Sequence, residues 1–154
     1  MPGATAMNLD DIDKRIISAL QVDGRMPYSQ LASLIDLSEA ATRQRVNRLI
    51  DKGIMSIVAV TDPVALGHGC QALVGIQVDS SATQIAEKFS QMDELDYVVV
   101  TAGRYDVVVE LVCTDLDHLL RIVDEKVRTV DGVRTAEILT YLSLVKQVYN
   151  WGTG

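Results

Sequence analysis

The sequence predicts an α+β protein in two parts: an N-terminal helix-turn-helix (winged) domain, a joining strand, and a ferredoxin-like βαββαβ domain. Three observations carry this. Up to Gly53 the apolar residues recur at intervals of three and four, the spacing of helices that bury one face. The third of these helical stretches is basic and follows the second after a tight turn. From Cys70 onward, Val- and Ile-rich runs of strand length alternate with two helical patterns in the order βαββαβ. The expected boundaries are residues 1–53 for the helix-turn-helix domain, 54–69 for the strand and hinge, and 70–154 for the second domain.

The first helix lies in "DDIDKRIISALQVDG", with Asp10 as N-cap, Ile12, Ile16, Ile17 and Leu20 at helical spacing, and a stop at Gly24. "PYSQLASLIDLS" is a shorter helix with Leu31, Ala32 and Ile35 inward and a turn at Asp36-Leu37. Ser38 caps a third helix, "EAATRQRVNRLIDK", which ends at Gly53 in the left-handed position. Thr42, Val46, Leu49 and Ile50 form its inner stripe; Ala40, Arg43, Gln44, Asn47 and Arg48 face outward together. Arginine suits guanine, and glutamine or asparagine suits adenine, in the major groove of DNA. A solvated helix face is the plain alternative, and the preceding capped helix and tight turn decide against it. The candidate DNA contacts are Ser38, Ala40, Arg43, Gln44, Arg45, Asn47 and Arg48.

"IMSIVAVTDP" then reads as the joining strand. The second domain runs through "QALVGIQV" (strand), "ATQIAEKFSQM" (helix), "DYVVVTA" and "DVVVELVC" (strands), a helix, and "RTAEILTYLSLV" (strand). The second helix carries Leu116, Leu119, Leu120, Val123, Val127 and Val130 at helical spacing, with Thr114 and Asp117 as an expected capping box. Between the central strands, Gly103-Arg104-Tyr105-Asp106 reads as a hairpin turn with an aromatic ring and a carboxylate at its tip. Helices on one sheet face leave the other needing a partner, so a homodimer is expected.

The bulk properties fit this. Of 154 residues, 48% are apolar and 23% charged, which places the chain among globular proteins rather than disordered ones. No apolar run approaches the ~20 residues that cross a bilayer, and no basic flank precedes an apolar N-terminal core, so a cytoplasmic protein without a membrane partner is expected. Cys70 and Cys113 sit in strand-like runs without CxxC or Cys/His spacing and read as buried reduced thiols. His68 and His118 lack a companion set for a metal, and no cofactor is expected. Net charge is −7, yet residues 1–61 balance seven Lys/Arg against seven acids, and residues 38–52 hold four bases against two acids. The N-terminal third can approach a phosphate backbone that would repel the rest. The chain shows no Ser/His/Asp or Cys/His set, phosphate-cradling glycine loop or catalytic carboxylate pair, so an enzyme is not expected.

"LDDIDKRIISALQVDGR", "LASLIDLSEAATRQRVNRLIDKGI", "GRYD" and "DGVRTAEILTYLSLVK" resemble the Lrp/AsnC, or feast/famine, family of transcription regulators, over about Leu9 to Lys146. The resemblance implies an N-terminal helix-turn-helix on double-stranded DNA and a C-terminal αβ-sandwich ligand and oligomerisation domain, often called RAM. It implies dimers that assemble further, commonly to octamers, with a free amino acid as effector between them. The effector turn of the family corresponds to Thr101, Ala102, Gly103, Arg104, Tyr105 and Asp106. Members that bind simple amino acids often carry Thr-x-Thr on the last strand; counting back from Val145-Lys146, Ala136 and Ile138 stand there, while a shift of one or two residues brings Thr135 or Thr140 instead.

Read from the residues, Asp106 suits an α-ammonium group, Arg104 a carboxylate, and Tyr105 a side chain to be covered. The other reading is that Asp106 caps its own turn and Tyr105 packs at a subunit contact. Two functions follow: a regulator that responds to an amino acid or related metabolite, or an architectural DNA-wrapping protein with no effector.

Overall fold

The structure, a computed structural model, describes residues 9–149. The described residues form two compact units, one from residues 9–60 with 146–149 and one from residues 61–145.

The first unit holds three helices: α1 (Asp11–Val22), α2 (Tyr28–Ile35) and α3 (Glu39–Asp51). Asp10 caps α1 by accepting the Asp13 N–H at 2.8 Å. α2 ends at Asp36, a non-glycine residue at φ 59°, which the short polar side chain tolerates and which turns the chain sharply into α3. Ser38 caps α3 through the Ala41 N–H. Its far end closes with Gly53 at φ 66°, where the Gly53 and Ile54 N–H groups donate to the Ile50 and Leu49 carbonyls and satisfy the last turn. Ile16, Ile17, Leu20, Leu31, Ile35, Val46 and Leu49 form the core, as the helical spacing requires. Ile50 is exposed at the rim of the stripe.

The joining strand does not form within the chain. Among the described residues, 54–60 form no strand ladder with another segment, and Ile57, Val58 and Val60 are exposed. A strand needs a neighbour to take up its N–H and C=O groups, and among the described residues the first unit has no strand to serve as that neighbour or as a wing.

The second unit is the expected βαββαβ: β1 (Cys70–Val78), α4 (Ala82–Phe89), β2 (Tyr97–Val100), β3 (Val107–Cys113), α5 (Leu116–Ile122) running into a wider π turn (Val123–Val127), and β4 (Val133–Thr140). The sheet is antiparallel in the order β2-β3-β1-β4. Even-numbered β1 residues Ala72, Val74 and Ile76 and odd-numbered β3 residues Val107, Val109 and Leu111 face the helices, where Ile85, Phe89, Leu119, Ile122, Val123 and Val127 complete the core. Two expectations are corrected here. The α5 cap is Asp115, not Thr114, because its carboxylate accepts the His118 N–H at 2.7 Å while the Thr114 hydroxyl turns to Asp115 and His118. The inward stripe of α5 is Leu119, Ile122, Val123 and Val127; Leu116 and Leu120 lie on the outer side and are exposed. β4 also ends earlier than its sequence suggests. Opposite Thr140 lies Ala72, near the start of β1, and past it only the Tyr141 N–H finds β1, at Gln71 O, 2.8 Å. No helix among the described residues is long and apolar enough to cross a membrane.

Candidate functional sites

α3 presents two kinds of cation. Arg43 is exposed; its guanidinium lies 4.8 Å from the Tyr28 ring centroid and donates to Glu39 at 3.2 Å, a helical i, i+4 pair in the favourable order. Beside it Ala40, Gln44 and Asn47 are exposed. Arg45 and Arg48 turn the other way. Arg45 Nη1 donates to Asp10 Oδ2 at 2.7 Å and to Asp13 Oδ1 at 2.9 Å, and Arg48 Nη2 reaches both Asp13 oxygens at 2.7 Å. Asp13 is buried on the α1 stripe, so the two arginines neutralise it from α3. The Asp10 carboxyl is held below its ordinary value, chiefly by the Asp13 N–H and then by Arg45. Ser38 is occupied as the helix cap.

The turn from Thr101 to Asp106 joins β2 to β3, with the Thr101 N–H donating to Asp106 O at 2.9 Å and the Thr101 hydroxyl to Tyr105 O at 2.7 Å. Ala102, Gly103 and Arg104 are exposed at its tip. Asp106 turns inward: one carboxylate oxygen accepts the Val78 N–H at 2.9 Å, at the bulge where β1 and β4 shift register. The Tyr105 ring lies on Gly75, where a Cβ would stand 2.6 Å from its Cε2, so a side chain at that position and the ring exclude each other. Arg104 sits 5.3 Å over the same ring and pairs with Glu137 at 2.9 Å, and the hydrogen bond to Glu137 raises the Tyr105 phenol. Gln77 Nε2 donates to Arg104 O and Gln77 Oε1 accepts from the Thr135 hydroxyl, both at 2.9 Å.

Strand parity then sorts β4. Thr135 and Glu137 pair with Gln77 and Gly75 on the uncovered sheet face, with Tyr105 and Arg104. Ala136 and Ile138 pair with Ile76 and Val74 and pack against the helix-side core, so the chain by itself does not bring them to the turn. Two cavities of the second unit, about 540 and 280 Å³, are lined by other residues, including Thr114, Asp115 and Thr140 in the first and His68, Asp93 and Glu94 in the second.

The profile of the AsnC-type helix-turn-helix domain matches residues 9–50, and that of the Lrp/AsnC ligand binding domain matches residues 71–151. The chain belongs to the Lrp/AsnC family. An uncharacterized HTH-type transcriptional regulator of Pyrococcus abyssi is 32% identical over 148 residues, 95% of this chain and 91% of that one. The leucine response regulatory protein of Mycobacterium tuberculosis superposes with a TM-score of 0.82 at 27% identity, covering 90% of this chain and 96% of that one. A transcriptional regulator of Neisseria meningitidis, solved as its L-Met complex, shares the fold with a TM-score of 0.82 at 23% identity, over 94% and 96% of the two chains. This Lrp/AsnC protein is a DNA-binding transcriptional regulator with an effector-type domain, and its relatives are regulators rather than enzymes.

Several residues that shape these sites in the Lrp/AsnC chain escaped sequence reading. Asp13 left a signal, an acid at an inward position of the stripe it forms with Ile16, Ile17 and Leu20. Thr135 was open as an alternative on the last strand, and Glu137 could have been assigned with it by period-two alternation once the register of β4 was known. Gly75 and Gln77 left none. Cys70 and Cys113 stand opposite each other on β1 and β3, free and buried, and burial pushes the Cys113 thiol up to about 11. Among the described residues no group of three or more His, Cys, Asp or Glu is placed to hold a metal.

Proposed function

We propose that the protein is a sequence-specific transcriptional regulator in which α3 enters the major groove and reads base edges through Ala40, Arg43, Gln44 and Asn47, with Ser38, Arg45 and Arg48 shaping the helix that carries them. The observation that carries this is the division of α3: its exposed, uncommitted amides and the stacked Arg43 share one face, while Arg45 and Arg48 are engaged with α1. Residues 1–53 are the DNA-reading part, and 70–154 serve assembly and effector binding. A homodimer, and beyond it an octamer, would cover the apolar side chains that one chain leaves bare, such as Val58 and Val60 before the sheet and Leu142 and Val145 after it.

The effector reading places a free amino acid against Thr101 to Asp106, completed by a second subunit. It is supported by the Neisseria relative's complex with L-Met. A specific observation favours the second reading, an architectural DNA-wrapping protein with no effector: Arg104 is already paired with Glu137 and Asp106 already accepts a backbone N–H. Footprinting on DNA upstream of the protein's own gene, with and without each free amino acid, separates them. A bounded footprint altered by one amino acid, and unaltered in Asp106→Ala, is expected; long periodic protection indifferent to all of them would overturn effector control.

A further inference from the structure

Asp13 is an acid where packing alone calls for an apolar residue. Its side chain is 3% exposed and lies on the α1 stripe with Ile16, Ile17 and Leu20. A buried carboxylate persists only when it is neutralised and hydrogen-bonded. α3 does this with two arginines, Arg45 at 2.9 Å and Arg48 at 2.7 Å to each carboxylate oxygen, while Asp10 takes a further bond from Arg45 at 2.7 Å. Arg45 and Arg48 directly precede the buried Val46 and Leu49 in the chain, and from those positions their guanidinium groups reach the Asp13 carboxylate of α1.

We propose that Asp13 is a specificity-determining positioning residue. Its carboxylate holds Arg45 and Arg48 against α1, withdraws two cations of α3 from the DNA phosphate backbone, and leaves readout to Ala40, Arg43, Gln44 and Asn47. The proposal rests on the reading of α3 as the DNA-reading helix. Phosphate contacts strengthen binding to every sequence alike, whereas base-edge contacts strengthen binding to one. An internal carboxylate that engages two arginines, with Asp10 as the second acid of the cluster, therefore lowers general affinity and raises the share of the binding energy that depends on sequence. For Arg48 to move to a phosphate, Asp13 would be left buried with one partner fewer, and that opposes the exchange. The same clamp ties the N-terminus of α1 to the middle of α3, which fixes the angle at which the reading face is offered.

The test uses the full chain, a duplex that the protein selects from a random pool, and an unselected duplex, with anisotropy titrations over a series of KCl concentrations. Each phosphate newly neutralised steepens the slope of log K against log salt by about 0.9. Asp13→Asn is expected to steepen the slope on the unselected duplex by about one to two such steps and to narrow the ratio of selected to unselected affinity several-fold. Arg48→Gln is expected to leave the slope where it is in wild type. A slope unchanged in Asp13→Asn, with only thermal stability reduced, would mean that the residue is structural and overturn the proposal. A slope shallower by about one step in Arg48→Gln would overturn it too, since Arg48 would then be on a phosphate in wild type. If Asp13→Asn fails to fold, the Arg48→Gln slope decides alone. Asn47→Ala is the separate check on α3: an unaltered ratio in that variant refutes the reading helix itself, whatever Asp13→Asn does.

Discussion

Gly75→Ala tests whether the turn from Thr101 to Asp106 is held by the sheet or merely rests above it. The added methyl would stand 2.6 to 2.7 Å from Cε2, Cδ1 and Cδ2 of Tyr105, closer than side-chain carbons approach, so the ring or the strand must move. Overpacking of this kind costs about 1 to 3 kcal/mol. Against it stands the gain from replacing a strand glycine by alanine, about 0.5 to 1 kcal/mol, which exists only if nothing occupies the space. The net expectation is a loss of about 1 to 2 kcal/mol in the otherwise unaltered chain and a small gain in a Tyr105→Ala background. Amide exchange of Val74 and Val109, both fully buried in the β1–β3 ladder, reads the stability of the second unit without interference from the first. Four proteins close the cycle: wild type, each single variant and the double. A coupling of at least about 1 kcal/mol is expected. Costs that add within about 0.3 kcal/mol would show that the ring does not occupy the space over Gly75, and the account of the turn would fail with it.

Two further outcomes follow from the ionisable groups. The Asp10 carboxyl has its folded value below its unfolded value of 3.8, because the Asp13 N–H and Arg45 favour the anion; its contribution is therefore complete above that value and is lost as pH falls through the lower, folded one. The urea midpoint of α1–α3 unfolding should hold between about pH 7 and 5 and drop below about 4, with a smaller drop in Asp10→Asn, which still caps the helix; an equal drop in that variant would remove Asp10 from the explanation. Cys70 and Cys113 are buried with thiols raised in the same direction, Cys113 to about 11, so alkylation of the native chain near pH 8 should proceed at the rate of opening rather than of the thiol reaction. Labelling within minutes under native conditions would contradict their burial.

The elements were legible because their signals are local. Asp10, Ser38 and Gly53 announce helix ends by their own capping chemistry, and the stripes of α1, α2 and α3 need only the helical period. The order βαββαβ, and with it the sheet, follows from the alternation of strand-like and helical runs. The turn between β2 and β3 was visible as Gly-Arg-Tyr-Asp, though not which of its side chains would turn inward.

What the sequence could not decide was pairing across distance. It named Arg45 and Arg48 as cations of a reading helix, but Asp13, more than thirty residues away, claims both, and only the packing of α1 on α3 brings it there. It placed Ala136 and Ile138 by counting, and the register of β4 on β1 turns them to the core while Thr135 and Glu137 take the uncovered face, since a shift of one residue reverses every side chain of a strand. It read residues 54–60 as a strand from their Val and Ile content, yet β structure is a property of two segments, and among the described residues no second segment pairs with this one. Periodicity and capping are settled within a few neighbouring residues and so belong to the sequence; charge pairing, strand register and strand formation depend on groups that meet only after folding, and the tertiary structure alone decided them.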